Sequence, residues 1–280
     1  GLDINCIMAN YDLPFSFPED VVKASQHINT TITDDPKRWD LRDVPMVTID
    51  GEDAKDLDDA VSGRKLDNGN YELGVHIADV SHYVVSQKAI DREAYKRGTS
   101  VYLVDRVIPM LPEVLSNGIC SLNAGEDRYA MTCMMEIDTH GKVVNYWIQP
   151  SIIHVNRRCS YKEIYKALTE DIIPDDLAPL MSMIHNLSDI AKTLNDMRRR
   201  RGALDFDFPE YKVLLDTEGT PLRIVRRDRT LAERLIEECM LIANETVATH
   251  LKNTNRTSVY RIHETPSEEK MSMYQKVLNY

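Results

Sequence analysis

Residues 50–60 read DGEDAKDLDDA, and both the fold and the chemistry of this chain depend on that stretch. Six of its eleven residues are carboxylates, and apolar stretches typical of β-strands flank it on both sides. Carboxylates packed this densely repel one another, and burying them without a partner is costly. Hard divalent cations prefer oxygen ligands and remove that repulsion. The stretch therefore predicts a metal site for Mg²⁺, with Mn²⁺ as a substitute.

The predicted ligands are the aspartates Asp50, Asp56, Asp58 and Asp59. If residues 56–60 are extended, Asp56 and Asp58 share one face and Asp59 turns away. Asp50 then approaches from the end of the preceding strand. Carboxylates that converge from different backbone positions suit two cations about 3.5–4 Å apart, the arrangement that serves in-line phosphoryl displacement.

A solvated acidic turn is the alternative interpretation of the same stretch, as it is for most runs of charge. We rank it second because apolar strand-like residues flank the run directly, without polar residues between. An EF-hand loop is excluded, because Ala54 would stand at a position that requires an oxygen ligand.

The composition is that of an ordinary globular protein of 280 residues with five cysteines. No apolar run approaches the roughly 20 residues of a membrane helix, and no N-terminal signal pattern is present. We therefore expect a cytoplasmic protein that has no membrane partner. Gly1 is compatible with a natural start further upstream. The cysteines form no Cys-x-x-Cys pair, which favours reduced, buried thiols over a zinc site or a disulfide framework.

The net charge of −11 argues mildly against a protein that simply coats nucleic acid, since phosphate contacts require Lys and Arg. Local basic clusters nevertheless occur at 157–158, 198–201 and 223–229. The cluster at 198–201 is explained nearly as well by a helix C-terminus, where the helix dipole favours cations. Global charge therefore does not exclude a basic channel.

Interleaved strand and helix patterns predict an α+β fold with a mixed, largely antiparallel sheet flanked by helices. Asn68-Gly69 predicts a tight hairpin turn, and Ser160-x-x-Glu163 is a capping box that opens a helix. The predicted strands cover 46–50, 60–66, 71–80, 100–104, 130–138, 142–158, 211–215, 222–225 and 258–262. The predicted helices cover 3–10, 18–28, 88–97, 160–169, 174–201 and 230–253, with a last helix from Pro266.

Several other polar or aromatic residues have ordinary structural explanations when taken alone. A histidine on a strand, such as His76, is more often a hydrogen-bonded structural residue than a ligand. The same holds for His82, which lies just beyond the strand. Tyr102 follows a glycine turn and is interpreted as a half-buried core residue. Glu237 and Glu238 lie in the middle of a helix, where solvated side chains are the default.

Six stretches follow one another over nearly the whole chain. They are LRDVPMVTIDGEDAKDLDDA (41–60), VHIADVSHYV (75–84), RGTSVYLVDRVIPMLPEVLSNGICSL (97–122), RGALDF (201–206), LIEECMLIAN (235–244) and VYRIHETP (259–266). In this order they resemble the catalytic RNB domain of the ribonuclease II / ribonuclease R family of 3′→5′ exoribonucleases. Within that family they are most similar to its bacterial ribonuclease R members.

The resemblance implies roles for individual residues. The four aspartates match the family's active-site aspartates, which bind Mg²⁺ and carry hydrolysis, and we expect Asp58 to be the most critical. Tyr102 matches the tyrosine that stacks on the 3′-terminal nucleotide and sets the final product length, which replaces its interpretation as a core residue. Further predicted RNA contacts are Glu238 in the LIEECMLIAN stretch, and Arg158 and Arg201 in the basic clusters.

The resemblance also implies that the chain is part of a longer protein. Residues 1–38 are predicted to be a connector that follows an absent N-terminal cold-shock domain, and 39–280 the N-terminal and central part of an RNB domain. The family's aromatic clamp partner, its arginine pair near the scissile phosphate and its S1 domain are expected beyond Tyr280.

These expectations lead to one function and two alternatives. The implied function is that of a monomeric protein that degrades single-stranded RNA processively from the 3′ end and releases nucleoside 5′-monophosphates. The first alternative is a non-catalytic RNA-binding or structural fragment. The second, argued without the family, is a generic metal phosphoesterase.

Overall fold

A computed structural model of the chain describes residues 2–204, 208–262 and 264–278. The chain divides into two compact units, Gly1–Ala243 and Asn244–Tyr280. Residues 205–207 and 263 lie outside the described residues, and 205, 206 and 263 belong to two of the six stretches noted above.

The strands of the described residues form one large sheet and two small ones. They are β1 Trp39–Leu41, β2 Val47–Asp50, β3 Asp59–Lys65, β4 Tyr71–Ala78, β5 Val101–Tyr102, β6 Val107–Ile108, β7 Asp127–Ile137, β8 Val143–His154, β9 Arg157–Ser160, β10 Glu210–Leu215 and β11 Pro221–Arg227. Seven of them build the large sheet in the order β1-β8-β7-β4-β3-β2-β9. Its inner pairs are antiparallel, whereas the outer pairs β1–β8 and β2–β9 are parallel.

Helices of the first unit cover both faces of the large sheet. Eight α-helices lie within the described residues. They are α1 Leu2–Asn10, α2 Glu19–Gln26, α3 Val80–Tyr83, α4 Ala89–Arg97, α5 Tyr161–Thr169, α6 Met181–Arg200, α7 Leu231–Asn253 and α8 Glu268–Leu278, with a π-helical turn at Val114–Ile119 and a 3-10 turn at Ala178–Leu180. Because side chains alternate along a strand, Ala60 and Gly63 of β3 face different layers. Ala60 packs in one buried cluster with Ile90 and Leu115, whereas a Cβ on Gly63 would lie 2.8 Å from the Leu187 side chain of α6.

The predicted fold class is confirmed: the sheet is mixed, largely antiparallel and flanked by helices. Local signals account for the agreement. Gly69 takes a positive φ of 87° in the turn between β3 and β4, as an Asn-Gly turn requires. Ser160 and Glu163 form the capping box that starts α5. Gly98 ends α4 with a φ of 73°.

Three predicted elements differ from the structure. The predicted strand 142–158 is two strands, because Asn156 bonds to both backbone groups of Met46 and redirects the chain from β8 to β9, beside β2. The α-helix predicted from 174 begins at Met181, after turns in which the Pro174 carbonyl accepts two amide bonds. Residues 258–262 form no strand, and Val259 is almost fully exposed.

The thiols and the helices add two further observations. All five cysteines are free, and all but Cys6 are buried. Among the described residues, no helix combines the length and the apolar character needed to cross a bilayer.

Candidate active site

The acidic stretch forms the connection between β2 and β3 at one end of the large sheet. Asp50 is the last residue of β2, and Asp59 is the first residue of β3. The backbone of the second half of the loop is fixed to its neighbours. Leu57 donates its amide to Ser121 Oγ at 3.1 Å and accepts from the Leu122 amide at 2.8 Å. The carbonyl of Asp58 accepts from the Ala78 amide at 3.0 Å.

Three of the four predicted ligands have pKa values that are raised by burial and by the charges of other aspartates in the set. Desolvation raises the pKa of Asp50, and the charge of Asp56 raises it further. Desolvation and the charges of Asp56 and Asp50 raise the pKa of Asp58. The pKa of Asp59 rises to about 6, mainly through burial and then through Asp50 and Asp58. The structure therefore brings the four aspartates into one electrostatically coupled group.

This group suits a hard divalent cation by its donor chemistry. Mutual repulsion and partial burial raise the pKa values of these aspartates. A bound cation would offset both effects, because it stabilises the charged carboxylates. Among the described residues, no three His, Cys, Asp or Glu side chains already converge on one ion position. The aspartates therefore supply the donor oxygens that Mg²⁺ or Mn²⁺ prefers, without a preformed cage.

Tyr102 lies beside the acidic group. It lies on β5 with an exposed ring, and its hydroxyl donates to Asp56 Oδ2 at 2.8 Å. That bond is the main reason the pKa of Tyr102 rises to about 12, so the phenol stays neutral. Tyr102 is not the half-buried core residue that its local sequence favours. Its exposed ring faces solvent beside the aspartates, where stacking on a base is sterically open.

The carboxylates of the stretch that are not predicted ligands have cationic partners. Asp53 Oδ2 accepts from Lys212 Nζ of β10 at 2.6 Å, and this bond holds the pKa of Asp53 below its usual range. Glu52 lies 3.6 Å from Lys162 Nζ of α5. The sequence offered no role for Glu52 and Asp53, because neither partner is local.

Arg158 also contacts the loop, through its backbone. Nη2 of Arg158 donates to the carbonyls of Gly51, Glu52 and Ala54 at 3.3, 3.1 and 2.7 Å. Arg158 therefore lies at the predicted site, although the contacts in the structure are with the protein itself.

Tyr161 belongs to the site and was missed from the sequence. Parallel pairing places Ser160 opposite Asp50, and Tyr161 follows directly at the start of α5. Burial, followed by the charges of Asp50 and Asp59, raises the pKa of Tyr161 to about 12. The only local signal was its place within the capping box, and that pattern does not show which strand β9 joins.

A cation from the small hairpin also acts on the site. Arg227 of β11 lowers the pKa of Asp50 and Asp53 by its charge, as Arg158 does for Asp50. Within the part of the chain that the structure describes, Arg158 of β9 and Arg227 of β11 therefore place positive charge near the acidic group.

Glu238 is not available as an RNA contact in this structure, which corrects that prediction. Its side chain is buried, and Oε1 accepts from Arg198 Nη1 at 2.7 Å and Asn195 Nδ2 at 2.9 Å, both on α6. Removal of Arg198 would leave this buried carboxylate without its cation, which is costly, so the pair constrains how α6 and the helix of Glu238 pack. Arg201 ends α6 with an exposed side chain and remains a predicted RNA contact.

The two histidines near β4 have structural environments. His76 is buried, with Nε2 3.1 Å from Ser62 Oγ and Nδ1 2.8 Å from Thr132 Oγ1. Its interpretation as a hydrogen-bonded structural residue is confirmed. His82 lies on the short helix α3, next to Arg38, which pairs with the buried Asp79.

Comparison with known proteins gives one consistent result. The RNB domain model matches residues 38–279. Ribonuclease R of Thermotoga maritima is 48% identical over 274 residues, which is 96% of this chain and 39% of that protein. The chain spans 34% of the length of ribonuclease R 1 of Lactococcus lactis and 39% of that of the Thermotoga protein.

Solved structures agree with the sequence comparison. Mycoplasma genitalium RNase R in complex with double-stranded RNA superimposes with a TM-score of 0.93 at 30% identity, covering 99% of this chain and 50% of that one. The same protein in complex with ribose methylated single-stranded RNA gives a TM-score of 0.92 at 32% identity, covering 99% and 44%.

Proposed function

This chain belongs to the RNB-domain family of 3′→5′ exoribonucleases, and from that premise we propose that its full-length protein hydrolyses single-stranded RNA from the 3′ end. The proposed reaction depends on Mg²⁺, proceeds processively and releases nucleoside 5′-monophosphates. We propose that the full-length protein is monomeric and lies in the cytoplasm.

One observation carries the proposal: four coupled aspartates lie beside an exposed tyrosine that is hydrogen-bonded to one of them. The charges of the four aspartates act on the pKa values of Asp50, Asp58 and Asp59, so the four lie within electrostatic reach of one another. Tyr102 reaches the same group through its 2.8 Å bond to Asp56. A stacking platform and a hard-cation donor set are therefore adjacent, as removal of a terminal nucleotide requires.

Asp50, Asp56, Asp58 and Asp59 would hold the cation. When bound, Mg²⁺ would neutralise the charge that develops on the phosphodiester and lower the pKa of water. The aspartates would orient the cation and the attacking water, with Asp58 as the most critical. Tyr102 would stack on the terminal base, an interaction worth roughly 1–3 kcal/mol that tolerates any base.

Selectivity for RNA over DNA is proposed to come from contacts to the 2′-hydroxyl, which is absent from DNA. Arg201 is proposed to contact the RNA backbone, where an exposed guanidinium suits phosphate. Its position at the end of α6 with an exposed side chain supports this role.

The direct test follows how the full-length protein degrades RNA that carries a label at its 5′ end. We expect the full-length RNA to disappear while the short end product accumulates without a ladder of intermediates, mononucleotide 5′-phosphates to be released, and turnover to be lost with EDTA. Internal cleavage fragments or equal turnover in EDTA would contradict the proposal. Light scattering of the same sample tests whether the full-length protein is monomeric.

A non-catalytic fragment is the second candidate for the 280-residue chain by itself. It is favoured by the share of its relatives that the chain spans, 34–39% of their length. Incubation of this chain with Mg²⁺ and an RNA oligonucleotide separates the two candidates, because measurable mononucleotide release would reject the second.

A further inference from the structure

The first half of the acidic loop has little support of its own. Within residues 51–54, one backbone bond closes a turn, from the Ala54 amide to the Gly51 carbonyl at 3.1 Å. The second half is fixed differently, because Ser121 Oγ donates to the Lys55 carbonyl at 2.9 Å and accepts from the Leu57 amide. The loop therefore needs a second anchor between Asp50 and Ala54.

Arg158 supplies that anchor. Its Nη2 donates to the carbonyls of Gly51, Glu52 and Ala54, and the shortest of these contacts is 2.7 Å. Three carbonyl dipoles that point towards one position repel one another unless a cation lies there. The guanidinium therefore stabilises the curved backbone that this part of the loop adopts.

The position of Arg158 on a strand makes this anchor rigid. Arg158 lies on β9 in register with Thr48 of β2, and the loop begins just beyond Asp50 of that same strand. A planar guanidinium on a paired strand holds its donors in a fixed direction, whereas a lysine amine on a flexible stem does not. The Lys162–Glu52 pair is a single contact of 3.6 Å, whereas Arg158 donates to three carbonyls of the loop.

We propose that Arg158 is a positioning residue that holds the loop in the shape that presents Asp50 and Asp56 to the cation. This inference rests on the proposed metal-dependent function and deepens it. It replaces the prediction that Arg158 contacts RNA, since the side chain is engaged with three carbonyls of the protein.

The experiment compares the full-length protein with its Arg158→Ala and Arg158→Lys variants in three measurements. Hydrogen exchange of the peptide that covers residues 50–57 is measured without metal. Mn²⁺ binding is measured by electron paramagnetic resonance. Binding of a labelled RNA oligonucleotide is measured by fluorescence anisotropy in EDTA. Arg64→Ala is the matched control, because Arg64 is an exposed arginine on β3 that pairs with Glu72.

For Arg158→Ala we expect exchange in 50–57 to become about tenfold faster, Mn²⁺ binding to weaken about tenfold, and RNA binding in EDTA to stay within twofold of the wild type. Arg158→Lys is expected to fall between the wild type and Arg158→Ala, and Arg64→Ala to match the wild type. Should Arg158→Ala fail to fold, the same comparison is made between the wild type and Arg158→Lys.

Two outcomes would overturn the inference. Unchanged exchange and Mn²⁺ binding with weakened RNA binding would make Arg158 a phosphate contact. No change in any measurement would leave it without a role at the site. If the wild-type chain binds no Mn²⁺, the proposed function fails at its metal, while the exchange measurement still decides whether Arg158 orders the loop.

Discussion

The hydroxyl of Tyr102 donates a 2.8 Å hydrogen bond to Oδ2 of Asp56, which joins the exposed ring to the acidic loop. The bond fixes the distance between the surface on which a base would stack and the carboxylates that would hold the metal. The position of the ring therefore determines where the end of a bound strand lies relative to those carboxylates.

Two substitutions at Tyr102 separate stacking from this hydrogen bond. Tyr102→Ala removes both, and we expect the final product of the full-length protein to be longer by one or more nucleotides, because the terminal base is no longer held. Tyr102→Phe keeps the ring, so we expect the wild-type product length with a rate reduced by less than tenfold. Denaturing gels of 5′-labelled RNA resolve both. Identical end products for the Ala variant and the wild type would exclude the stacking role.

Replacement of Asp58 by Asn removes a charge and a proposed metal-binding oxygen while the volume is kept. We expect turnover by the full-length protein to fall at least a hundredfold, because the cation loses an anionic ligand. RNA binding, measured by anisotropy, should remain. Asp67→Asn, at an exposed hairpin turn, is the matched control and should be fully active. A retained rate in Asp58→Asn would remove Asp58 from the reaction.

His76 predicts a loss of stability in mild acid. Burial lowers its pKa to about 4, so the folded protein keeps this histidine neutral while the unfolded chain protonates it near pH 6.5. Its contribution to stability is complete above pH 6.5 and is lost as the pH falls towards 4. This shift in the pKa of His76 corresponds to a loss of at most about 3 kcal/mol in the free energy of unfolding.

The measurement is the free energy of unfolding in urea at pH 7.5 and pH 5. We expect His76→Gln to be less stable than the wild type at pH 7.5 but to lose less stability between the two pH values. His140→Gln, at an exposed turn, should lose as much as the wild type. Equal losses in all three proteins would mean that His76 is not the titrating group.

The Arg198–Glu238 pair predicts a stability defect rather than an RNA-binding defect. Arg198→Ala leaves the buried Glu238 carboxylate without its cation, and we expect about 2–4 kcal/mol less stability at pH 7.5. Arg198→Ala/Glu238→Gln should recover part of this loss, because no unpaired charge remains. Urea unfolding measures the stability, and anisotropy measures RNA binding. A weakened RNA affinity without a loss of stability would restore Glu238 as an RNA contact.

Elements that depend on local chemistry were predictable from the sequence. The turn at Asn68-Gly69 requires positive φ, and the capping box at Ser160 requires only residues within one helical turn. The aspartates were identified as a group by their density alone, since carboxylates so close together need a shared explanation.

Features that depend on strand register were not predictable. Pairing of β9 with β2 is parallel and joins segments far apart in the chain, so neither the position of Tyr161 nor the contacts of Arg158 follow from local patterns. The burial of Glu238 likewise depends on α6, whose Arg198 neutralises it. Its position in the middle of a helix favoured a solvent-exposed side chain, because helical periodicity does not identify a partner on a distant helix.

The contacts of Arg158 with the acidic loop span 104 to 107 positions of the chain. During synthesis, the loop therefore leaves the ribosome long before the strand that shapes it. Until β9 emerges and docks, the first half of the loop, which follows Asp50, lacks the anchor that Arg158 supplies. Completion of the site therefore waits for β9, and a nascent chain that stops before Arg158 carries every predicted metal ligand but can hold only the second half of the loop in place.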